Sequence, residues 1–164
     1  MTIAGLNLLD RSGFVETIGW VFEHSPWVAE RVWPSRPFDN LDALHAAMTD
    51  QVERATFAEK LAILQSHPDL GTRARLSPAS AGEQTGAGLD SLSPSEFEQL
   101  HRMNAAYRAR FGFPFLLAVK GSTKHDVLRA LEARIESTSE DEFREALRQV
   151  YRIARFRLED LIEK

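Results

Sequence analysis

The sequence lacks cysteine entirely, and it has no excess of positive charge over its 164 residues. The first absence excludes disulfide bonds, thiolate nucleophiles, and zinc or iron–sulfur sites with cysteine ligands. Lysine and arginine total 20 against 24 aspartates and glutamates, which gives a formal net charge of −4. This balance gives no electrostatic reason to expect nucleic acid or an anionic membrane as a partner.

Long apolar runs are missing as well. No run reaches the roughly 20 residues that a transmembrane helix needs. The N-terminal stretch MTIAGLNLLDRSG has neither the basic flank nor the apolar core of a signal peptide. Hydrophobic residues make up 43% and charged residues 27% of the chain, which is typical of a globular protein. We therefore expect a soluble protein of the cytoplasm.

The common catalytic and metal-binding motifs are absent too. The sequence has no HExxH, no DxDxDG loop, no P-loop, and no GxGxxG after a strand. Without a GxSxG motif, serine-hydrolase chemistry has no support. The sequence therefore predicts no metal site.

Residues that start and stop helices are plentiful. The clearest helix opens at Ser93, with Pro94 in its first position, Glu96 at capping-box spacing, and Gly112 placed to end it. Apolar residues recur at helical spacing through most of the chain, and FPFLLAV is the only strand-like run. The sequence predicts an all-α fold: one domain over residues 1–164, built as a bundle of roughly seven or eight helices.

One long segment departs from this pattern. Residues 67–92 read HPDLGTRARLSPASAGEQTGAGLDSL and are rich in glycine, serine and alanine. Structureless segments longer than about 12–15 residues are uncommon in compact domains, and most are functional or disordered. Two interpretations stay open: a disordered loop, or a short helix around SAGEQTGAGL.

His67 stands at the start of that segment. Because Pro68 disfavours helical geometry at the residue before it, His67 should lie where the chain leaves a helix. An imidazole, with an unperturbed pKa near 6.5, suits proton transfer at neutral pH. The alternative is a histidine that stabilises a helix C-terminus as a cation, and spacing alone favours that alternative.

Glu83 is the second candidate for chemistry. It lies among small residues that allow a ligand to approach the backbone closely. Gln84 beside it adds a side chain that both donates and accepts hydrogen bonds. The alternative is a solvated glutamate in a mobile loop, which is the better interpretation for Glu83 taken alone.

Two arginines lie on apolar helix faces. Arg157 comes three residues after Ala154 and four before Leu161, and an arginine on a buried face needs a carboxylate from the protein or from a ligand. The alternatives are an internal ion pair or a side chain that extends to water. Arg134, three residues after Leu131, has some of the same character.

Four motifs follow one another along the chain: HPDLG, GEQTGAGL, RFGFPFLLAVKG and RIARFRLEDL. In this order and spacing they resemble the family of 2-oxo-4-hydroxy-4-carboxy-5-ureidoimidazoline (OHCU) decarboxylases, and the resemblance covers nearly the whole chain. It implies an all-α fold and a decarboxylase that needs neither a metal nor an organic cofactor. The implied reaction is the last step from urate to allantoin, and the implied partner is a small-molecule substrate.

The resemblance also implies roles for individual residues. The histidine of HPDLG, His67, corresponds to the proton donor, and Glu83 corresponds to its acidic partner. Arg157 matches the arginine of the family best, with Arg134 as the second candidate. The implied pocket is lined by Pro68, Ser80, Gln84, and the backbone of Phe115, Leu116, Leu117, Ala118 and Val119.

Two other functions stay open. A related enzyme that acts on another ureido or purine-derived acid is compatible with the same residues, since a fold and an acid/base set do not fix the substrate. A non-enzymatic helical binding module is the second alternative, although a binding role would not require a titratable pair such as His67 and Glu83. The sequence also leaves open whether the protein is a homodimer.

Overall fold

The computed structural model describes residues 1–72 and 76–163, and within these residues it contains helices and no strand. The α-helices are α1 (Ile3–Asn7), α2 (Arg11–Ile18), α3 (Trp27–Val32), α4 (Leu41–Glu53), α5 (Phe57–Ser66), α6 (Pro78–Gly86), α7 (Pro94–Phe111), α8 (Lys124–Arg134) and α9 (Ser139–Leu161). The predicted all-α fold is confirmed. Two of the helices, α1 and α3, have only five and six residues, too few for a helical period to show in the sequence. None of the described helices is long and apolar enough to cross a membrane.

Helix α7 begins and ends where its sequence predicts. Ser93 Oγ accepts a hydrogen bond from Glu96 N at 3.2 Å, and the Glu96 carboxylate accepts one from Ser93 N at 2.9 Å. Gly112 follows the helix at φ 80°, a left-handed geometry that glycine adopts without a Cβ clash. Lys124 donates to Glu96 Oε1 at 2.8 Å. This bond, together with the Ser93 backbone N–H, lowers the pKa of Glu96 to about 2.

Part of the 67–92 segment is helical. Helix α6 starts after Ser77, whose hydroxyl oxygen accepts a hydrogen bond from Ser80 N at 3.2 Å. Pro78 takes the first helical position, where a missing N–H costs no helical hydrogen bond. Of the two interpretations of this segment, the short helix is therefore the one found. Residues 73–75 lie outside the described part of the chain.

The chain forms two compact units, and α9 contributes residues to both. One unit comprises Met1–Ser66 and Tyr151–Lys164, and the other comprises His67–Val150. We call these two units the terminal unit and the central unit, after their places in the sequence. The expectation of one domain over residues 1–164 stays a prediction.

Each unit has its own fully buried apolar side chains. In the terminal unit they include Phe14, Ile18, Val28, Leu44, Met48, Ile63, Ala154 and Leu158. In the central unit, Tyr107 is surrounded by aromatic rings, with the Phe111 ring centre at 4.6 Å and that of Phe115 at 5.5 Å. Burial of these rings fixes α7 against the segment that follows Gly112.

The strand-like run FPFLLAV, residues 113–119, has no regular secondary structure. Most of its side chains are buried, which explains its apolar sequence, but no strand lies among the described residues to pair with it. Side chains from α8 and α9 satisfy backbone groups of this run instead. We call it the 113–119 segment.

Candidate active site

His67 lies directly after α5, which ends at Ser66. This is the position that Pro68 predicts, because a residue before proline avoids helical geometry. The His67 side chain is only 6% exposed. The imidazole is therefore shielded from solvent, and the role of His67 as a proton donor stays a prediction.

The residues after Pro68 form a tight turn. Thr72 N donates to Asp69 O at 3.3 Å, and Gly71 has a φ of 74°, which favours glycine at this position of a turn. Space requires glycine there as well, because a Cβ on Gly71 would lie 2.4 Å from Leu100 Cδ2. The turn over residues 69–72, which we call the His67 turn, therefore has one well-defined geometry.

Side chains from two helices hold the His67 turn. Gln84 Oε1 on α6 accepts a hydrogen bond from Gly71 N at 2.9 Å. Asn104 Nδ2 on α7 donates to Leu70 O at 2.9 Å, and this bond is buried. One helical turn further along α7, Arg108 forms an exposed ion pair with Asp69 at 2.9 Å.

Helix α6 carries three of the expected site residues. Ser80 and Gln84 are buried one helical turn apart, and Glu83 beside them is half-buried. The bond from Gly71 to Gln84 thus joins the turn that follows His67 to the helix that carries Glu83. The structure brings these two parts of the candidate site together, and the roles of His67 and Glu83 stay predictions.

The residues whose backbone is expected to line the pocket lie in the 113–119 segment, and this lining stays a prediction. Phe115, Leu116, Ala118 and Val119 are buried, and Leu117 is half-buried. The N–H of Ala118 donates to Gln149 Oε1 at 3.0 Å, and Gln149 is itself oriented by a 2.8 Å hydrogen bond to Glu145. This arrangement sets the direction of the backbone around Ala118.

The Arg134 side chain forms its hydrogen bonds with other groups of the protein. Its Nε donates to Glu142 Oε1 at 2.8 Å, its Nη1 donates to Leu116 O, and its guanidinium lies 4.6 Å from the centre of the Phe115 ring. Glu142 is 1% exposed and also accepts a hydrogen bond from the Tyr107 hydroxyl. Burial first, and then this bond to a carboxylate, raise the pKa of Tyr107, so the phenol stays a donor.

Arg157 belongs to the terminal unit, where its side chain is 3% exposed. Its Nη2 forms an ion pair with Glu23 Oε2 at 2.9 Å. Its Nη1 lies 3.4 Å from Trp20 O and 3.3 Å from Val21 O. The internal ion pair that the sequence left open is present, and substrate contact by Arg157 stays a prediction.

The backbone around Glu23 is also fixed. Its carbonyl oxygen accepts hydrogen bonds from Ser25 Oγ at 2.9 Å and from Ser66 Oγ at 2.8 Å. Glu23 itself is buried. Two hydroxyl groups therefore hold the main chain that places the carboxylate against Arg157.

Several residues that shape these arrangements escape the sequence analysis. They are Asn104, Glu142, Gln149, Tyr107 and Glu23. The first three share one feature that could have identified them from the sequence: each is a polar residue on a helix face that is otherwise apolar. Asn104, for example, lies between the buried Leu100 and Tyr107. Within residues 1–72 and 76–163, no three His, Asp or Glu side chains are grouped so that they would hold a metal ion.

Comparison with known proteins gives matches along the whole chain. The family model described as OHCU decarboxylase matches residues 7–159. The uric acid degradation bifunctional protein PucL of Bacillus subtilis is 48% identical over 98% of this chain. The 2-oxo-4-hydroxy-4-carboxy-5-ureidoimidazoline decarboxylase of Haloferax volcanii is 46% identical over 96% of this chain and 94% of its own length. This chain spans only 33% of the Bacillus subtilis protein.

Solved structures agree with these matches. A crystal structure of (S)-allantoin synthase superposes with a TM-score of 0.83 at 35% identity, over 99% of this chain and 54% of that chain. A crystal structure of OHCU decarboxylase in the presence of (S)-allantoin superposes with a TM-score of 0.71 over 84% of this chain and 92% of that chain. Its 24% identity supports the shared fold alone. On the family match and the full-length relative, the chain belongs to the OHCU decarboxylase family.

Proposed function

We propose that this protein decarboxylates OHCU to (S)-allantoin and CO2 in the breakdown of urate. The observation that carries the proposal is the buried His67, which directly precedes Pro68 and the turn that Gln84 connects to the helix of Glu83. An acid/base residue and a carboxylate on neighbouring rigid elements are what proton transfer at a reacting carbon needs. The 46% identity to the Haloferax volcanii decarboxylase along nearly its whole length supports the same reaction.

The chemistry of the substrate suits a site of this kind. The carbon that loses CO2 carries a hydroxyl group and stands beside a ring C=N bond. When its bond to the carboxylate breaks, the electron pair forms a C=C bond to the adjacent ring carbon, and the imine electrons move to the nitrogen. The nitrogen and the adjacent carbon each take up a proton while the hydroxyl gives one up, so one proton is consumed for each CO2 released.

Because the imine accepts the electrons, we propose that the protein needs no cofactor and contributes position, charge and protons. Glu83 takes the proton of the hydroxyl group. His67, in its protonated form, delivers a proton to one face of the adjacent carbon, and one-sided delivery gives (S)-allantoin. Ser80, Gln84, Pro68 and the backbone of residues 115–119 hold the substrate between them.

The hydrogen bonds of the two arginines favour different roles. Arg134 directs its N–H groups at Glu142 and Leu116 O, so we assign it to holding the 113–119 segment. The Arg157 bonds to Trp20 O and Val21 O are 3.4 and 3.3 Å long, beyond the usual 2.7–3.2 Å for such bonds. A substrate carboxylate or ureido oxygen can replace them at little cost, and the planar guanidinium can bind it through two N–H groups.

The direct test makes the unstable substrate in place from urate with the two preceding enzymes and follows optical activity. We expect this protein to accelerate the appearance of (S)-allantoin in proportion to its concentration. Equal rates with and without the protein would overturn the proposal. Acceleration of CO2 release from another ureido acid, with none from OHCU, would identify a related enzyme instead.

A further inference from the structure

The buried amide of Asn104 holds the backbone of the His67 turn. We infer that Asn104 is a positioning residue, which keeps His67 where it can deliver its proton. This inference rests on the proposed function, since it gives Asn104 a role in the decarboxylation through His67. Asn104 is not assigned to the substrate, and its effect should therefore appear in turnover more than in substrate binding.

The cost of burying this amide is the first argument. Asn104 is 4% exposed and stands on the apolar face of α7, between Leu100 and Tyr107. Its Nδ2 donates to Leu70 O, whereas its Oδ1 accepts no hydrogen bond from any residue in the described ranges. A buried polar atom without a partner destabilises the fold. An aliphatic side chain would stabilise α7 more, so the single bond to the turn is what the amide supplies.

The short path from that bond to the imidazole is the second argument. Leu70 is three residues from His67, and Pro68 in between has a nearly fixed φ. Gln84 holds the next residue of the turn through Gly71 N. With α6 and α7 each supplying one bond to adjacent residues, the turn has little freedom to shift. Loss of the Asn104 bond would leave α7 with only the exposed Arg108–Asp69 pair to hold the turn, and would let the His67 backbone move.

A matched control lies on the same helix. Arg108 follows Asn104 by one helical turn and binds the same His67 turn through Asp69. This pair is exposed, with 45% and 37% of the two side chains accessible. Exposed ion pairs contribute little to local order. Arg108→Ala therefore removes a contact to the turn without disturbing the buried bond.

The experiment compares Asn104→Leu, Asn104→Ser and Arg108→Ala with the wild-type protein. Misplacement of a catalytic group by about 1 Å can lower the rate about 10²-fold. We expect both Asn104 variants to lose about 10- to 100-fold in kcat with KM changed by less than about threefold. Arg108→Ala should stay within about twofold of wild type. Asn104→Ser leaves room for water and guards against a failure of the leucine variant to fold.

The handedness of the product separates positioning from simple loss of folded protein. Enough variant is added to match the wild-type rate, so that spontaneous decarboxylation contributes equally, and allantoin is analysed early. With His67 displaced, the fraction of the (S) enantiomer should fall. If the activity of both Asn104 variants falls only with the unfolded fraction, and the product stays purely (S), Asn104 is structural and the inference is wrong. Unchanged kcat in both variants would overturn it as well.

A measurement without turnover keeps this inference separate from the proposed function. The protein has five histidines, so His67→Asn identifies the imidazole resonances of His67 in NMR spectra. Asn104→Leu or Asn104→Ser should shift these resonances, and Arg108→Ala should leave them in place. An inactive wild-type protein with these shifts would refute the decarboxylase proposal and still support the conclusion that Asn104 positions His67 through the turn. Unshifted His67 resonances would refute the positioning role.

Discussion

Among the described residues, each unit contains an arginine–glutamate pair with little exposure to solvent, and these two pairs differ in their hydrogen bonds. In the central unit, Glu142 accepts hydrogen bonds from Arg134 and from the Tyr107 hydroxyl, while Leu116 O accepts a further N–H of the arginine. In the terminal unit, Arg157 binds Glu23 at 2.9 Å but lies 3.3 Å and 3.4 Å from two backbone carbonyls.

The difference shows that burial alone does not tell what a charged side chain does. Both guanidinium groups are shielded from water and both have a carboxylate, so a sequence pattern gives them the same description. A buried ion pair is weak support for stability, because desolvation of the charges offsets their attraction. The remaining contacts distinguish the two arginines: Arg134 binds Leu116 O of the 113–119 segment, whereas Arg157 lies 3.3 and 3.4 Å from two backbone carbonyls. This difference is the basis of our proposal that Arg157, and not Arg134, binds the substrate.

We expect the largest losses of activity from substitutions in the acid/base pair, His67 and Glu83. Their size is the reference against which the effects of substitutions at the two arginines are compared. Removing a general acid or base typically costs about 10²–10⁴-fold in rate. We expect losses in this range in kcat for His67→Asn and for Glu83→Gln, measured by allantoin formation, with far-UV circular dichroism unchanged. Because the two residues act on one substrate as a unit, the double variant should lose much less than the product of the single losses. Near-normal turnover by either single variant would remove that residue from the mechanism.

The next effect tests the arginine with the long hydrogen bonds. A lysine keeps the positive charge beside Glu23 but lacks the planar fork of the guanidinium. We therefore expect Arg157→Lys to lower kcat/KM about 10²-fold, the equivalent of about 2.7 kcal/mol. Arg155→Lys is the control, because Arg155 lies on the same helix and pairs with Glu159 at a more accessible position. An undiminished kcat/KM in Arg157→Lys would leave the Arg157–Glu23 pair with a purely structural role.

The matching substitution in the other pair should affect stability more than catalysis. Lysine cannot bind Glu142 and Leu116 O together, so one buried acceptor would lose its partner in Arg134→Lys. Such a loss costs about 1–3 kcal/mol, which urea unfolding would measure, and kcat should fall by less than about tenfold. Arg129→Lys, in an exposed pair with Asp126 on the same helix, should change stability by less than about 0.5 kcal/mol. If Arg134→Lys impairs turnover more than Arg157→Lys does, the two assignments must be exchanged.

The sequence predicts features that depend on neighbours in the chain. The α7 capping box and the exit of the chain from α5 at His67 follow from local residue order, and a short helix in the 67–92 segment was one of the two interpretations that local order left open. In each of these cases the residues that decide the geometry lie within four positions of one another. Local order also placed Arg157 on a buried face, which the structure confirms.

Features that depend on distant backbone atoms could not be predicted in this way. Asn104 and its acceptor Leu70 are 34 residues apart, and Gln149 and its donor Ala118 are 31 apart. A polar residue on an apolar helix face shows that a partner must exist, but not which carbonyl or N–H it is. Glu142 is a further example, because its bonds to Arg134 and Tyr107 depend on the packing of three helices.

The smallest expected effect is on stability and concerns the Lys124–Glu96 ion pair. This pair lies nearer the surface than the two arginine–glutamate pairs. The Lys124 bond and the Ser93 cap hold the pKa of Glu96 at about 2, below its usual 4.5. A carboxylate with a lowered pKa in the folded state contributes stability above pH 4.5, and this contribution is lost as the pH falls toward 2. Catalysis should not depend on it.

Thermal melting of Glu96→Gln and wild type across this pH range tests the contribution. The melting temperature of the variant should lie a few degrees below that of wild type at pH 7, and the gap should close as the pH falls from 4.5 to about 2. The glutamine keeps an oxygen that can accept the Ser93 N–H, so the comparison isolates the charge. Glu98→Gln, at an exposed position of the same helix, should show no such closing gap. A gap that stays constant with pH would mean that the carboxylate charge adds nothing, and that the Lys124 contact is as weak as most exposed ion pairs.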